Sequence, residues 1–198
     1  MLLSSFTPDL VEAGCDEVGR GCLAGPVVAA AVILPKNYTH ELLNDSKQLS
    51  KEDRVALQAD IVRDALAWAV AEVSNEEIDQ INILNASFKA MHLALDKLPM
   101  QPDLLLIDGN RFNPYRQIRF ECVIKGDGKY LSIAAASVIA KNFRDDLMTK
   151  LSVEYPGYAW HTNVGYPTTE HRDGIRQLGI TPYHRKSFQL LPAQLELF

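Results

Sequence analysis

Four acidic residues carry the chemistry that this sequence could perform. Asp16 and Glu17 stand together at the end of one apolar segment, Asp108 ends a second, and Asp127 follows a third. Clustered carboxylates repel one another and take up protons unless a cation neutralises them. An all-oxygen set favours magnesium or manganese, because zinc usually recruits histidine or cysteine. Two such ions can activate a water and stabilise the departing oxygen in phosphodiester cleavage.

The first acid pair lies in residues 13–34, where two apolar runs flank Gly19-Arg20-Gly21. This pattern predicts a β-hairpin that carries the acids at its tip. Adjacent side chains on a strand point to opposite faces. Asp16 and Glu17 can therefore serve one site only if the chain leaves strand geometry near Glu17, which the glycines allow, or if Glu17 contributes its carbonyl oxygen. Taken alone, such a pair beside glycine is typical of a turn. Asp108 and Asp127, which follow later in the chain, favour a metal site instead.

The other two acids also follow apolar segments. Residues 104–107 are a short apolar run that predicts a strand buried on both faces, with Asp108 at its carboxyl end. Ligands gather at such ends in layered α/β folds, although Asp-Gly also begins many turns. Residues 118–124 predict another strand, and Asp127 follows between two glycines and two lysines. That setting suits a metal beside a phosphate and equally suits a surface turn.

Helical patterns lie between and after these strands. Ser50 is a good N-cap for a helix with Glu52 and Asp53 in its first turn. The predicted buried face of that helix is Val55, Leu57, Ile61, Val62 and Leu66. A long alanine-rich helix starts near Ser132 and is expected to pack closely on a sheet. On it, Ser137, Lys141 and Arg144 share a face that either contacts a nucleic-acid backbone or is solvated.

Two polar loops add possible anion-binding groups. Asp45-Ser46-Lys47 could hold a phosphate or simply connect two elements through solvent. Residues 181–188 are basic and aromatic, a combination that suits a groove tracking a nucleic-acid backbone. Thr168 or Thr169 is a plausible cap for a helix that ends near Gly179.

Composition bounds the protein class without deciding the partner. A chain of 198 residues with 47% hydrophobic residues is long enough for one domain with a full core. The net charge of -5 does not exclude nucleic acid, because an acidic centre can coexist with a basic rim. Three cysteines without metal-site spacing predict buried, reduced thiols. The sequence shows no secretory or membrane-spanning segment, so we expect a cytoplasmic protein.

These motifs together resemble those of bacterial ribonuclease HII over nearly the whole chain and in order. The matching segments are residues 15–34, Asp45-Ser46-Lys47, residues 107–110, Lys125-Gly126-Asp127, residues 132–137, residues 165–168 and residues 184–188. The resemblance implies a ribonuclease H-like α/β fold of three layers, with a central mixed sheet flanked by helices and a helical C-terminal part. It assigns residues 1–190 to the catalytic domain and residues 191–198 to a tail.

The resemblance also implies an activity and its cofactors. The expected enzyme is an endonuclease that hydrolyses the RNA strand of RNA/DNA hybrids. It would also nick duplex DNA 5′ of an embedded ribonucleotide, leaving a 5′-phosphate and a 3′-hydroxyl, in ribonucleotide removal during replication and repair. Divalent cations, Mg²⁺ or Mn²⁺, would number two per active site during catalysis, and the enzyme is expected to be a monomer.

Individual residues receive roles from the same resemblance. Asp16, Glu17, Asp108 and Asp127 match the metal-binding acids, with Asp145 and Asp146 as nearby competitors for the last of these roles. Gly19-Arg20-Gly21 matches the segment that contacts the ribose 2′-hydroxyl, the group that distinguishes RNA from DNA. Tyr166 matches the tyrosine that packs on the neighbouring sugar. The further predicted substrate-binding residues are Lys47, Ser137 and Arg185. Asn142-Phe143 departs from the usual family sequence.

The end of the chain has a resemblance of its own. Gln194-Leu195-Glu196-Leu197-Phe198 is similar to the short peptides that bacterial replication proteins insert into the sliding clamp. Such a tether would raise the local concentration of substrate. The alternative is that the three apolar residues fold back on the domain as an edge strand, since their spacing also suits that role.

Two other classes of function are open to a chain with these acids. A 3′–5′ exonuclease or junction resolvase of the same fold would share the acids without needing Gly-Arg-Gly. A noncatalytic hybrid-binding module is the third class. The complete set of acids argues against that module, because a binder of phosphates gains nothing from concentrated negative charge.

Overall fold

The computed structural model describes residues 2–43 and 50–191, and a five-stranded sheet forms its centre. The strands are β1 (Glu12–Val18), β2 (Val27–Ile33), β3 (Ala67–Val73), β4 (Leu104–Asp108) and β5 (Arg119–Val123). The helices are α1 (Lys51–Asp64), α2 (Asn75–Asp96), α3 (Leu131–Glu154), α4 (Trp160–Asn163) and α5 (Thr169–Leu178). A 3₁₀ turn, Gly126–Gly128, precedes α3.

The sheet is mixed, and β1 lies at its centre. The strand order is β3-β2-β1-β4-β5. β1 pairs antiparallel with β2 and parallel with β4, while β5 continues the parallel part. The predicted hairpin is confirmed, with one correction to where its acids lie. Asp16 and Glu17 are inside β1, opposite Ala30 and Ala29, and residues 19–26 form the connection.

Helices cover both faces of the sheet. The sequence of β2, Val-Val-Ala-Ala-Ala-Val-Ile, is buried at all seven positions because its alternate side chains enter two different cores. One core joins Val27, Ala29 and Ala31 to α2 residues such as Met91. The other joins Val28, Ala30 and Val32 to the inner faces of α1 and α3. This is the predicted three-layer architecture.

The caps of the first two helices form as their sequences predict. The Ser50 hydroxyl oxygen accepts a hydrogen bond from the Asp53 N–H at 3.1 Å and begins α1. Ser74 accepts in the same way from Glu77 at 3.2 Å and begins α2. Inside α2, Asn82 adopts a left-handed conformation with φ 66°, and its side chain accepts from the following turn. The long helix is therefore two segments joined at Asn82.

The predicted buried face of α1 is only partly correct. Leu57 and Ile61 are completely buried, whereas Val55, Val62 and Leu66 are exposed by 36% or more. α1 packs over α3 at the outside of the molecule, so a narrow i, i+4 stripe is enough to make the contact. The remaining apolar residues lie beyond that contact.

The helical C-terminal part packs on the end of α3 and on the connection between β1 and β2. Its core contains Leu23, Met148, Trp160 and Ile175. Thr168 caps α5, and Ala24 forms an isolated β-bridge with His184. The described residues end at 191, so the domain boundary at residue 190 stays a prediction.

Two further predictions concern the whole chain. The three cysteines are free thiols, with Cys15 and Cys22 buried and Cys122 half-buried, so the cysteine prediction is confirmed. In the described ranges, no helix combines the length and the apolar character needed to cross a membrane.

Candidate active site

The site begins where α3 touches β1. Gly14 lies so close to α3 that a Cβ atom added to it would stand 2.2 Å from the backbone carbonyl carbon of Ser132. The missing side chain therefore allows strand and helix backbones to meet directly. One turn further along α3, the Ser137 hydroxyl hydrogen-bonds to the carboxylate of Asp16.

Register brings Asp16 and Asp108 side by side. β1 and β4 run parallel, with Cys15 opposite Ile107, and each acid is the next residue of its strand. Asp16 is only 7% exposed. Burial raises the pKa of Asp16 well above its usual value, and the neighbouring Glu17 and Asp108 charges raise it further, while Ser137 and the Glu17 N–H (2.7 Å) favour the ionised form. Two predicted metal ligands are thus brought together.

Glu17 is held by the loop that follows β1. Burial raises the pKa of Glu17, Asp108 adds to that effect, and Arg20 opposes it through an ion pair of 2.9 Å to Oε1. The second carboxylate oxygen, Oε2, is buried and has no hydrogen-bond partner among residues 2–43 and 50–191. An unsatisfied buried carboxylate oxygen is costly unless a donor or a cation reaches it.

Asp127 faces the same region from the 3₁₀ turn. It lines a pocket of about 260 Å³ together with Glu17, Val18, Arg54, Ser137, Val138 and Lys141. The same turn orients Asp108, because the Gly126 N–H donates to Asp108 Oδ1 at 2.6 Å. All four predicted acids therefore belong to one corner of the sheet, where β1, β4 and the start of α3 meet.

The donor set fits a hard divalent cation. All four acids offer oxygen, and Glu17 Oε2 lacks a hydrogen-bond partner in the part of the chain that the structure describes. Across residues 2–43 and 50–191, no three Asp, Glu, His or Cys side chains already converge as a finished ligand group. Arg20 and the Gly126 N–H instead hold one oxygen each of Glu17 and Asp108. Binding of a cation would need these carboxylates to turn toward one another.

The two competitors of Asp127 have other positions. Asp145 is buried and accepts hydrogen bonds from Arg54 at 2.9 Å and from Lys141 at 2.5 Å. Arg54 is fixed further by Asn142, whose Oδ1 lies 2.7 Å from Arg54 Nε. Asp145 thus holds the Arg54 and Lys141 side chains at the pocket wall. Asp146 is exposed on α3. This arrangement favours Asp127 as the fourth acid of the site.

The predicted ribose-contacting segment lies beside the acids. Arg20 and Gly21 are exposed, and Gly19 has φ 92°, a left-handed conformation suited to glycine. Tyr166 is 40% exposed, and its ring lies 3.9 Å from the position that a Gly21 Cβ would occupy. The structure therefore brings Tyr166 and the glycine segment to one surface next to Glu17.

Arg185 does not lie where direct substrate binding requires it. It is completely buried, and its guanidinium donates to the carbonyl oxygens of Gly19 (2.7 Å), Arg20 (2.9 Å), Gly25 (3.0 Å) and Pro26 (3.2 Å). The prediction that Arg185 binds substrate is thereby corrected. The connection between β1 and β2 turns these carbonyls inward, and buried carbonyls need donors.

Arg144 requires a similar correction. The sequence predicts that Arg144 lies on a face of α3 that is solvated or contacts a nucleic-acid backbone. In the structure Arg144 is completely buried. It donates to the carbonyl oxygens of Ala24 (3.0 Å), Pro26 (3.0 Å) and Val164 (2.7 Å). Sequence reasoning named both arginines but missed their supporting role, because their partners are distant in the chain. Arg54 was missed for the same reason.

Two predicted sites cannot be placed. Lys47, with the Asp45-Ser46-Lys47 motif, lies outside the described residues. The Gln194 to Phe198 tail lies outside them as well. Both remain predictions from the sequence.

Comparison with known proteins decides the family. The family profile described as ribonuclease HII matches residues 13–191. The chain belongs to the ribonuclease HII family. A ribonuclease HII of Parabacteroides distasonis is 62% identical over 197 residues, which cover 100% of this chain and 99% of that protein. The predicted family is confirmed.

Solved structures agree with this ribonuclease HII assignment. Ribonuclease H2 from Pyrococcus horikoshii OT3 superimposes with a TM-score of 0.76 at 26% identity, covering 90% of this chain and 94% of that one. The ribonuclease HII in a complex with PCNA from Archaeoglobus fulgidus superimposes with a TM-score of 0.73 at 25% identity, covering 96% of this chain and 100% of that one. The predicted fold is confirmed. The protein is a ribonuclease H endonuclease that acts on RNA/DNA hybrids, and its family implies dependence on a divalent metal.

Proposed function

We propose that Asp16, Glu17, Asp108 and Asp127 hold Mg²⁺ or Mn²⁺ and form the catalytic centre of this ribonuclease HII. The observation that carries the proposal is the corner where β1, β4 and α3 meet. There a buried Asp16 lies beside Asp108 and Glu17, and no described residue hydrogen-bonds to Glu17 Oε2. Such a concentration of negative charge has no benefit for binding phosphates unless cations neutralise it.

The protein's own groups orient each acid for this role. Ser137 and the Glu17 N–H direct Asp16, Arg20 directs Glu17, and the Gly126 N–H directs Asp108. We assign Ser137 to this orienting role, and it also lines the pocket where substrate would enter. When bound, the divalent ions supply charge neutralisation and an activated water. Attack of water oxygen on phosphorus breaks the bond to O3′ and leaves a 5′-phosphate and a 3′-hydroxyl.

Selectivity for a ribonucleotide fits the surface next to the acids. Gly19-Arg20-Gly21 offers exposed backbone within reach of a sugar hydroxyl, and Tyr166 offers a flat ring beside it. Packing of Tyr166 on the following deoxyribose would favour a junction between a ribonucleotide and DNA. Arg54 and Lys141 add positive charge at the pocket wall for the adjoining phosphates. We therefore propose that duplex DNA with one embedded ribonucleotide is a substrate beside long hybrids.

One cleavage assay tests the proposal against its rivals. A DNA duplex with a single ribonucleotide and a matched all-DNA duplex are incubated with Mg²⁺ or Mn²⁺. We expect one internal cut, 5′ of the ribonucleotide, in the first duplex alone. Digestion of the all-DNA duplex from its ends would favour an exonuclease, and binding without any cut would favour a noncatalytic module.

Substitution of the acids locates the reaction. Asp16→Asn and Asp127→Asn should each lower the cleavage rate at least about a hundredfold, since each removes a charged ligand. Asp146→Asn is the matched control, because Asp146 is an exposed acid on α3, and it should cleave normally. Cys22→Ala tests a buried residue outside the site in the same way. Normal cleavage by Asp127→Asn would remove Asp127 from the proposed set.

The C-terminal tail extends the proposal to a partner. The Archaeoglobus fulgidus relative was solved in complex with PCNA. This supports the proposal that residues 194–198 bind a sliding clamp, with the roughly micromolar affinity typical of a short anchor. Deletion of these five residues should abolish clamp pull-down and leave cleavage of a short duplex intact. Unchanged clamp binding would exclude the tail as the anchor.

A cytoplasmic location and a monomeric state also stay predictions.

A further inference from the structure

Two buried arginines support the connection between β1 and β2 by hydrogen bonds to its carbonyl oxygens. Arg144 and Arg185 are both 0% exposed. Within residues 2–43 and 50–191, neither forms an ion pair, and the hydrogen bonds of their guanidinium groups go to backbone carbonyl oxygens. A buried charge is costly unless its donors are satisfied, so this connection is built around the two guanidinium groups.

The bonds to Arg185 fix the direction of two exposed amides. Its Nη2 reaches the Gly19 carbonyl oxygen at 2.7 Å, and its Nη1 reaches the Arg20 carbonyl oxygen at 2.9 Å. These peptide bonds are trans, and in a planar trans peptide the N–H of the next residue points opposite to the carbonyl. The carbonyls face the buried guanidinium, so the Arg20 and Gly21 N–H groups face outward.

Those two amides are available to a ligand. Arg20 and Gly21 are both exposed. In the part of the chain that the structure describes, neither N–H donates to another group. They lie next to Tyr166 on one side and to Glu17, through its ion pair with Arg20, on the other. Two adjacent, outward-facing backbone donors at such a position suit an oxygen acceptor.

We infer that Arg185 is a positioning residue for substrate selectivity: from the buried side, it presents the Arg20 and Gly21 amides to an oxygen of the ribonucleotide. The inference rests on the proposed function in one respect, namely that the ribonucleotide binds beside residues 19–21. Arg185 itself does not touch the substrate. It acts through the peptide groups that it holds.

Only a guanidinium matches the four carbonyls that Arg185 reaches. Its planar fork directs several N–H donors to oxygens on different sides, and the positive charge strengthens each bond. A lysine carries all its donors on one nitrogen and cannot reach the same set. Burial lowers the pKa of Arg185 to about 10, so the group stays protonated at neutral pH.

Arg144 offers a matched control. It is equally buried, packs against Gly19 and shares the Pro26 carbonyl oxygen with Arg185, but its hydrogen bonds go to Ala24, Pro26 and Val164 and leave out the Gly19 and Arg20 carbonyls. Arg144→Lys and Arg185→Lys should therefore both destabilise the fold. Only the second variant should release the two amides.

The test compares binding of two duplexes in the presence of EDTA, which prevents cleavage. Fluorescence anisotropy gives the dissociation constants of an all-DNA duplex and of the same duplex with one ribonucleotide. We expect the wild-type preference for the ribonucleotide to fall about tenfold in Arg185→Lys, the value of one hydrogen bond, and to persist in Arg144→Lys. A preference retained by Arg185→Lys would overturn the inference alone. No preference in the wild type would overturn the proposed function and the inference with it.

A second measurement needs no variant and so covers the case in which Arg185→Lys does not fold. In ¹H–¹⁵N spectra of the wild-type protein, the Arg20 and Gly21 amides should shift more on adding the ribonucleotide duplex than on adding the all-DNA duplex. The amide of Gln101, an exposed residue at the opposite end of β4 from Asp108, serves as a reference for general effects of binding. Equal shifts of the Arg20 and Gly21 amides with both duplexes would contradict the inference.

Discussion

At the scale of single residues, the site is assembled at the expense of stability. Asp16 is almost completely buried, its pKa is raised by burial, and two other carboxylates lie near it. A protein that needed only stability would not keep a carboxyl group there. The same feature that makes the acid unfavourable in the free protein makes it useful as a ligand for a cation.

This conflict predicts that Asp16→Asn stabilises the protein when no divalent ion is present. The amide keeps the shape of the carboxylate and removes its charge, so the free energy of unfolding in EDTA at pH 7 should rise by about 1 kcal/mol. Urea unfolding measures the change. Addition of Mg²⁺ should stabilise the wild type and not the variant, because a ligand stabilises only the state that binds it.

A surface acid provides a control in which the same substitution should change the free energy of unfolding in the opposite direction. Asp96 accepts hydrogen bonds from Tyr115 and Arg116 at 2.7 Å, and the bond from Tyr115 lowers its pKa. Asp96→Asn should therefore lower stability, with or without Mg²⁺. A loss of stability in both variants would show that Asp16 is an ordinary structural acid.

At the scale of elements, the contact between β1 and α3 positions the catalytic corner. Gly14 permits the contact, and its neighbours Asp16 and Ser137 depend on it. The alanine-rich sequence of α3 brings its axis close to the sheet, as the small side chains predict. The helix thus acts as the wall against which the acids of β1 are held.

Gly14→Ala should push strand and helix apart. The added methyl group would lie 2.2 Å from backbone atoms of Ser132, which cannot move aside as a flexible side chain can. We expect a loss of about 3 kcal/mol in the free energy of unfolding, together with a loss of cleavage. Gly128→Ala is the control for stability, because a Cβ there meets nothing within 4 Å. Equal stability of the two variants would contradict the close contact.

At the scale of the whole molecule, a buried histidine pair joins the C-terminal part to the substrate surface. Trp160 Nε1 donates to His171 Nε2 at 2.9 Å, so His171 Nδ1 donates to the Tyr166 carbonyl oxygen at 2.9 Å. The Thr181 N–H donates to His184 Nδ1 at 2.9 Å, so the ring proton of His184 is on Nε2, which lies 3.2 Å from the His171 Nε2 that already accepts from Trp160. This chain of bonds requires both imidazoles to be neutral.

The histidine pair predicts how stability depends on pH. Burial lowers the pKa of His171, and burial followed by the nearby His171 lowers the pKa of His184 to about 4. Between pH 6.5 and about 4 the unfolded chain binds more protons than the folded one, so stability should fall as pH falls. The slope should be up to about 1.4 kcal/mol per pH unit for each histidine.

His184→Gln tests this origin of the pH dependence. Urea unfolding at pH values from 4.5 to 7.5 should give a shallower slope in the variant than in the wild type. The carboxylates of the active site titrate in both proteins, so the difference between the slopes isolates the histidine. Identical slopes would show that His184 takes up its proton equally in the folded and the unfolded protein.

Much of the fold follows from local patterns. The hairpin, the strand that ends at Asp108, and the caps at Ser50 and Thr168 all form where the sequence predicts them. Periodicity, turn residues and cap chemistry act over a few residues, so they can be recognised in the sequence alone. The acids were recognised for a similar reason, because each ends an apolar segment beside glycine.

Tertiary structure alone decided the neighbours of each side chain. Arg144 and Arg185 look like surface cations in the sequence, yet the carbonyl oxygens that they bind come from residues 19–26 and 164, at least 20 positions away. The same limit explains the exposed Val55 and the pairing of Arg54 with Asp145. The sequence by itself determined the elements and the acids, because both depend on short-range patterns. Which charges face solvent and which hold the backbone depends on contacts between distant segments, and only the folded chain sets those contacts.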